Sequence, residues 1–418
     1  MIATIRKARR LDGDIKVPGD KSISHRALIL GSIADGESRL RGLSTGADVE
    51  STAGCMRSLG VEVTDSSVHG VGMNGLRPST RALDCGNSGT TMRLLAGLLA
   101  AQPFTSELSG DESLSKRPMD RVVTPLREMG AEARWPPLVV GGRLPLHGIE
   151  YVMPVASAQV KSAILLAGLY AEGTTAVIEP VGTRDHTELM LEAMSTKPER
   201  QHTGSQVHGI ERLQPLDIDI PGDLSAAAFW LVAGALIPAS RIRVLGVGAN
   251  PTRTAIIDVM RSAGFNVGAS NTRNVAREKV ADLSVVPVKE MNAIEVSGEM
   301  AAGAIDELPI LAVAATQLPG VSRITGAREL RIKESDRIAA MAEGLAAMGA
   351  DIKTLDDGWE ITGPRHLEGA RVRSHGDHRI AMALGIAGLL ADGTTEIEDA
   401  ECVDISYPGF FDQLEALC

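Results

Sequence analysis

The sequence predicts an α/β protein of two domains, each an inside-out α/β barrel of three repeated βαβαββ-like units with buried helices and outer sheets. Three observations lead there. The opening Asp14-Ile15-Lys16-Val17-Pro18-Gly19-Asp20, a strand running into a Pro-Gly-Asp turn, returns as Asp217-Ile218-Asp219-Ile220-Pro221-Gly222-Asp223. Helical segments such as Leu94-Leu95-Ala96-Gly97-Leu98-Leu99-Ala100 are apolar nearly all round, the pattern of helices buried on every side. Strands such as Ser38-Arg39-Leu40-Arg41 and Arg241-Ile242-Arg243-Val244 alternate instead, so one face of their sheets meets water. Six units add up to two domains: 19–221, and 1–18 with 222–418. No long linker separates them, and the two Pro-Gly-Asp turns, at 18–20 and 221–223, read as a paired hinge that permits closure.

In chain order, the apolar helices are expected to begin near Ser22, Ser88, Ser157, Ser225, Asp306 and His378. Ser22 or Ser24 is the expected cap of the first. Turn and strand follow as Asp35-Gly36-Glu37-Ser38, Glu172-Gly173-Thr174-Thr175 and Asp392-Gly393-Thr394-Thr395. Second helices end in Gly60, Gly130, Gly264 and Gly349, the expected helix stop. Asp185-His186-Thr187-Glu188 reads as a capping box, and Gly246-Val247-Gly248 as a turn, since it lacks the third glycine and later acid of a dinucleotide fingerprint.

Composition narrows the function. A net charge of −11 opposes nucleic-acid and acidic-membrane partners, and 3% aromatic content leaves few stacking platforms for single strands. The four cysteines lack metal-like spacing and read as reduced thiols, which with the absence of a leader or spanning segment points to the cytoplasm. His375-Gly376-Asp377-His378 has no zinc-like spacing, so no metal is expected.

The chemistry gathers at helix starts. Ser, Asp and Asn there are ordinarily caps, but Lys and Arg oppose the helix dipole unless an anion compensates them. Lys21, Arg117, Lys333, Arg337 and Arg379 all read as so placed in an acidic protein, which points to local anion binding.

With these residues on the page, the chain resembles the 5-enolpyruvylshikimate-3-phosphate synthase family from Leu11 to Leu414. The resemblance rests on Gly19-Asp20-Lys21-Ser22-Ile23-Ser24-His25-Arg26, Gly86-Asn87-Ser88-Gly89-Thr90-Thr91-Met92-Arg93, Lys116-Arg117-Pro118-Met119, Asp306-Glu307-Leu308-Pro309, Lys333-Glu334-Ser335-Asp336-Arg337 and Gly376-Asp377-His378-Arg379. It implies transfer of the enolpyruvyl group of phosphoenolpyruvate to the 5-hydroxyl of shikimate 3-phosphate, with release of phosphate, in aromatic amino-acid biosynthesis. It implies Asp306, Glu334 and Lys21 as catalytic groups. Shikimate 3-phosphate falls to Lys21, Ser22, Arg26, Ser157, Ala158, Gln159, Arg184, Asp306 and Lys333. Phosphoenolpyruvate falls to Lys21, Gly89, Arg117, Gln159, Glu334, Arg337, His378 and Arg379. The expected partners are these two small molecules alone, with no cofactor, nucleic acid or membrane, and a monomer as the working form. Some family members carry a phosphoenolpyruvate-binding lysine near the C-terminus, whereas Cys402-Val403-Asp404-Ile405-Ser406-Tyr407-Pro408 has none. The sister transferase acting on UDP-N-acetylglucosamine keeps a reactive cysteine in the second unit's loop; here that loop, Gly110-Asp111-Glu112-Ser113-Leu114-Ser115, has no cysteine. A non-catalytic anion-binding repeat protein is the remaining alternative.

Overall fold

The structure, a computed structural model, describes residues 1–142 and 145–418. It is a mixed α/β fold. Its α-helices are α1 (Lys21–Ser32), α2 (Ala47–Ser58), α3 (Gly89–Ala100), α4 (Asp120–Glu128), α5 (Ala158–Gly168), α6 (His186–Ala193), α7 (Leu224–Leu236), α8 (Ala255–Ser262), α9 (Gly298–Gly303), α10 (Leu308–Ala315), α11 (Arg337–Ala347), α12 (His378–Leu390) and α13 (Phe410–Leu417). The chain divides into two compact units. One comprises Gly19–Ile220 with Asn274–Glu278; the other, which holds both termini, comprises Met1–Pro18, Pro221–Arg273 and Lys279–Cys418.

In the 19–220 unit one strand order recurs, in which a short strand runs parallel to a longer one that is flanked on its far side by two antiparallel strands. It is seen in Asp217–Asp219, Asp35–Arg41, Ser67–Val71, Glu62–Val63. It is seen again in Leu83–Asp84, Thr105–Ser109, Leu138–Gly141, Glu132–Arg134, and in Glu150–Val152, Thr174–Ile178, Gly204–His208, Glu199–Gln201. Helices α1, α3 and α5 are buried along almost their whole length, and their apolar side chains join one core. Helices α3 and α5 cross closely enough that a Cβ on Gly97 would lie 2.1 Å from the carbonyl oxygen of Ala163. Only glycine fits that crossing.

The terminal unit repeats the order in Asp12–Ile15, Arg241–Gly248, Glu278–Val286, Asn266–Val275 and in Glu295–Val296, Gly320–Ile324, Gly358–Gly363, Asp351–Leu355. Its third sheet is Arg371–Arg373, Thr394–Glu398 and Ile2–Arg6, so among the described residues the first strand pairs with the last. Helices α7, α10 and α12 are buried on all sides in a second core. The two strands that sequence likeness linked take equivalent places: Asp14 stands opposite Arg243, and Asp219 opposite Arg41, each acid pairing with its arginine.

Three local expectations change. Asp20, not Ser22 or Ser24, caps α1: its carboxylate accepts from the Ile23 N–H at 2.9 Å, and Ser24 Oγ is turned to the Ser44 N–H. Asp185 precedes α6 without a side-chain capping bond, because His186 and Glu188 are both drawn inward to other partners. Gly246 is not in a turn but in a strand bulge between Val244 and Val247, where its N–H donates to Asp282. The helix stops hold. Gly60, Gly130, Gly264 and Gly349 have φ of 89°, 96°, 92° and 89°, the left-handed conformation that ends each second helix.

Candidate active site

The residues singled out from the sequence fall into two groups, one in each unit. Lys21, Ser22, Arg26, Gly89, Arg117, Ser157, Ala158, Gln159 and Arg184 belong to the 19–220 unit, and Asp306, Lys333, Glu334, Arg337, His378 and Arg379 to the terminal unit.

In the 19–220 unit the starts of the buried helices carry the polar groups, because their apolar remainders are committed to the core. Lys21 opens α1 and its ammonium lies 2.8 Å from Asp48 Oδ2 on α2. Arg26, one turn on, is 3% exposed and donates to Thr187 Oγ1, Ser162 Oγ and the Ser22 carbonyl at 2.7, 2.6 and 2.9 Å. Burial lowers its pKa from 12.5 to about 10, aided by Arg184 and opposed by Glu188, Asp20 and Glu278. His25 faces the other way, bonding Thr52 Oγ1 through Nδ1 at 2.7 Å. Burial, with Lys21 and Arg26 nearby, pushes its pKa well down.

Ser88 caps α3, leaving Gly89 as the first helical residue. Arg117 follows the 3₁₀ turn Leu114–Lys116 and donates to Asn87 Oδ1 at 2.7 Å. Ser157 caps α5, and Gln159 beside it accepts from Arg93 Nη1 at 2.5 Å while donating to Thr90 Oγ1 at 2.8 Å. The starts of α3 and α5 are thereby tied together. Cys55 and Cys85 are both buried, and the Cys85 thiol's hydrogen bond to Cys55, with burial, pushes its pKa well up, away from reactivity.

In the terminal unit Arg337 is the hub. Its Nη2 meets Glu334 Oε2 at 2.6 Å, its Nε meets Asp377 Oδ2 at 2.8 Å and its Nη1 meets Asp306 Oδ1 at 3.4 Å. Burial works against the guanidinium, but Asp377, Glu334 and Asp306 outweigh it and raise its pKa. Lys333 Nζ and Arg379 Nε each stand 3.8 Å from the same Asp306 Oδ1, so three cations converge on one carboxylate oxygen. Beside it, Glu307 is buried against Ser225 and Arg253, with the Arg253 contact at 3.5 Å. His378 opens α12 and is buried.

Not every cation expected at a helix start lies at one. Lys333 is not at a helix start but closes the 3₁₀ turn Arg328–Ile332, and Arg117 likewise follows a 3₁₀ turn. Lys21 and Arg337 do open helices, yet the protein's own Asp48, Asp377, Glu334 and Asp306 compensate them. Asp377 lies in the segment Gly376-Asp377-His378-Arg379, so a motif can find it, whereas nothing local in the sequence ties Asp48 to Lys21. The segment without the C-terminal lysine forms the 3₁₀ turn Ala400–Ile405, with burial pushing the Cys402 thiol up to about 12.

Among the described residues no helix is long and apolar enough to cross a membrane, and no group of three or more His, Cys, Asp or Glu is arranged to hold a metal.

The model of the family EPSP synthase (3-phosphoshikimate 1-carboxyvinyltransferase) matches residues 5–414. The chain is 49% identical over 417 residues to a 3-phosphoshikimate 1-carboxyvinyltransferase of Bacillus cereus (strain B4264), covering 97% of each. It is 50% identical over 425 residues to one of Gloeobacter violaceus, covering 98% of each. Among solved structures it resembles EPSP synthase from Acinetobacter baumannii at 40% identity and a TM-score of 0.89, covering 100% of this chain and 98% of that one. The enolpyruvyl transferase NikO from Streptomyces tendae shares the fold, with a TM-score of 0.81 at 18% identity, covering 100% of this chain and 97% of that one. At such identity over nearly its whole length, the chain belongs to the EPSP synthase family.

Proposed function

We propose that this protein transfers the enolpyruvyl group of phosphoenolpyruvate to the 5-hydroxyl of shikimate 3-phosphate and releases phosphate, acting as a monomer without a cofactor. The observation that carries the reading is the pair of carboxylates, Asp306 and Glu334, held around one buried guanidinium in a chain that belongs to this family. The fold we infer is the six-unit, inside-out arrangement with three units per domain, supported by the recurring strand order and the buried helices α1, α3, α5, α7, α10 and α12.

Shikimate 3-phosphate is held by Lys21, Ser22, Arg26, Ser157, Ala158, Gln159, Arg184, Asp306 and Lys333. Phosphoenolpyruvate is held by Lys21, Gly89, Arg117, Gln159, Glu334, Arg337, His378 and Arg379. Asp306 takes the proton of the 5-hydroxyl as its oxygen attacks C2 of phosphoenolpyruvate, and Glu334 delivers a proton to the methylene carbon; Lys21 assists both transfers. The tetrahedral adduct then loses its phosphate and a methyl proton, which restores the carbon–carbon double bond and leaves the product enol ether. Fixed cations suit the charged adduct, because Arg337 is already oriented by Asp377 and need not reorganise as charge develops.

Phosphate release with shikimate 3-phosphate and phosphoenolpyruvate together, and with neither alone, tests the reading. Turnover of UDP-N-acetylglucosamine in place of shikimate 3-phosphate would favour the sister transferase. Phosphate binding without turnover would favour an anion-binding scaffold.

A further inference from the structure

Lys161 lies on α5, one turn beyond Ser157, and takes no part in the site described above, yet it is a fully buried charged residue. Its ammonium stands 2.9 Å from Glu179 Oε2 and 2.9 Å from Glu188 Oε1, both carboxylates also buried, and 3.5 Å from the carbonyl of Thr183. Glu179 further accepts from Thr183 Oγ1, and Glu188 from Ser205 Oγ at 2.7 Å. Burial works against the ammonium, but Glu188 and Glu179 outweigh it and raise its pKa, so Lys161 stays charged.

A buried ion cluster is a poor source of stability, since apolar side chains of the same volume commonly do as well. This one does something apolar side chains cannot: it fastens two ends of a segment to one point. Glu179 and Glu188 bracket the stretch that carries Arg184, and Lys161 grips both. The neighbouring residues make a second cross-link between α5 and α6. Thr187 Oγ1 donates to Ser162 Oγ at 2.7 Å, and Ser162 Oγ donates to the Ala158 carbonyl at 2.6 Å. These same two hydroxyls accept from the Arg26 guanidinium at 2.7 and 2.6 Å. The hydrogen bonds that orient Arg26 thus run to neutral oxygens.

We propose that Lys161 is a positioning residue for the substrate's phosphate group, holding the Glu179–Glu188 segment with Arg184 in the arrangement that grips it. The inference rests on the enolpyruvyl-transfer reading above, and turnover by the unaltered full-length protein tests that reading separately.

The test compares wild type with Lys161→Met, Lys161→Met/Glu188→Gln and Glu179→Gln, measuring steady-state kinetics, melting temperature and calorimetric binding of shikimate 3-phosphate and of unphosphorylated shikimate. Lys161→Met should raise the KM for shikimate 3-phosphate about tenfold or more, with kcat and the KM for phosphoenolpyruvate within about threefold. The loss should be confined to the phosphorylated ligand, narrowing its preference over shikimate. The double variant restores the cluster's net charge and should recover melting temperature while the raised KM persists, because the cross-link is still absent. Recovery of KM together with melting temperature, or equal weakening of shikimate and shikimate 3-phosphate, would overturn the proposal. If Lys161→Met does not fold, Glu179→Gln, which loosens one end of the segment from Lys161, decides. A KM for shikimate 3-phosphate raised about fivefold with the KM for phosphoenolpyruvate unchanged supports the assignment, and an unchanged KM overturns it.

Discussion

Asp377 holds Arg337 through two oxygens, Oδ2 at 2.8 Å from Nε and Oδ1 at 3.3 Å from Nη2, and with Oδ1 also accepts from the Arg379 backbone N–H at 2.9 Å. One carboxylate therefore both caps α12 and orients the Arg337 guanidinium, a cation proposed for phosphoenolpyruvate. Asp377→Asn keeps the shape and removes the charge, while Glu334 and Asp306 still compensate Arg337. The expected result is a KM for phosphoenolpyruvate raised about 10- to 100-fold and a stability loss of about 1–3 kcal/mol by urea denaturation. An unaltered KM would show that Arg337 is held without it.

Asp306→Ala removes the proposed base and the convergence point of Lys333, Arg337 and Arg379. Single-turnover kinetics should show the chemical step slowed by about 10²- to 10⁴-fold. Calorimetric affinity for shikimate 3-phosphate should stay within about tenfold, since the lost group acts chiefly in the transition state. Near-normal turnover would exclude Asp306 as the base.

A methyl group on Gly89 would come within 2.9 Å of Arg93 Nη1 and 3.3 Å of Arg117 Nη1. Both are ends of long side chains, so the fold should survive Gly89→Ala and the guanidiniums should shift instead. A displacement costing about 1–3 kcal/mol corresponds to about one or two decades in affinity. The KM for phosphoenolpyruvate and the inhibition constant of glyphosate, which targets this family, should both rise, with the shikimate 3-phosphate constant nearly unchanged. Equal weakening of all three would mean general distortion of α3.

His25 is held neutral by burial and by the charges of Lys21 and Arg26, so its folded pKa lies well below 6.5. Below pH 6.5 the unfolded chain binds a proton that the folded chain does not, and stability must fall as pH falls through that window. One proton contributes a slope of at most ~1.4 kcal/mol per pH unit. In His25→Asn, where the amide keeps a partner for Thr52, the difference from wild type in urea-derived stability should shrink between pH 6.5 and 5, the window below the ordinary value. Parallel pH profiles would show that His25 protonates freely in the folded protein.

The repeat, the buried helices and the alternating strands were legible in the sequence because each is a property of neighbouring residues. An all-apolar run such as Leu94 to Ala100 has no stable place except a core, and a glycine such as Gly349 after a helix adopts the left-handed backbone without strain. The proposed site residues rest on family motifs that each lie within a single short segment. The structure decided what depends on residues distant in sequence. Asp48 meets Lys21 from 27 positions away and Arg26 reaches Thr187 across 161, pairings that α1, α2, α5 and α6 create only when their apolar faces share one core. Local capping rules pointed to Ser22 or Ser24 at the start of α1, whereas the place is taken by Asp20, which accepts from the Ile23 N–H, and Ser24 Oγ accepts instead from the Ser44 N–H. Lys161 shows the limit most plainly. In sequence it is one charge in an apolar helix, and only the burial of Glu179 and Glu188 beside it makes that charge tolerable and gives it a purpose.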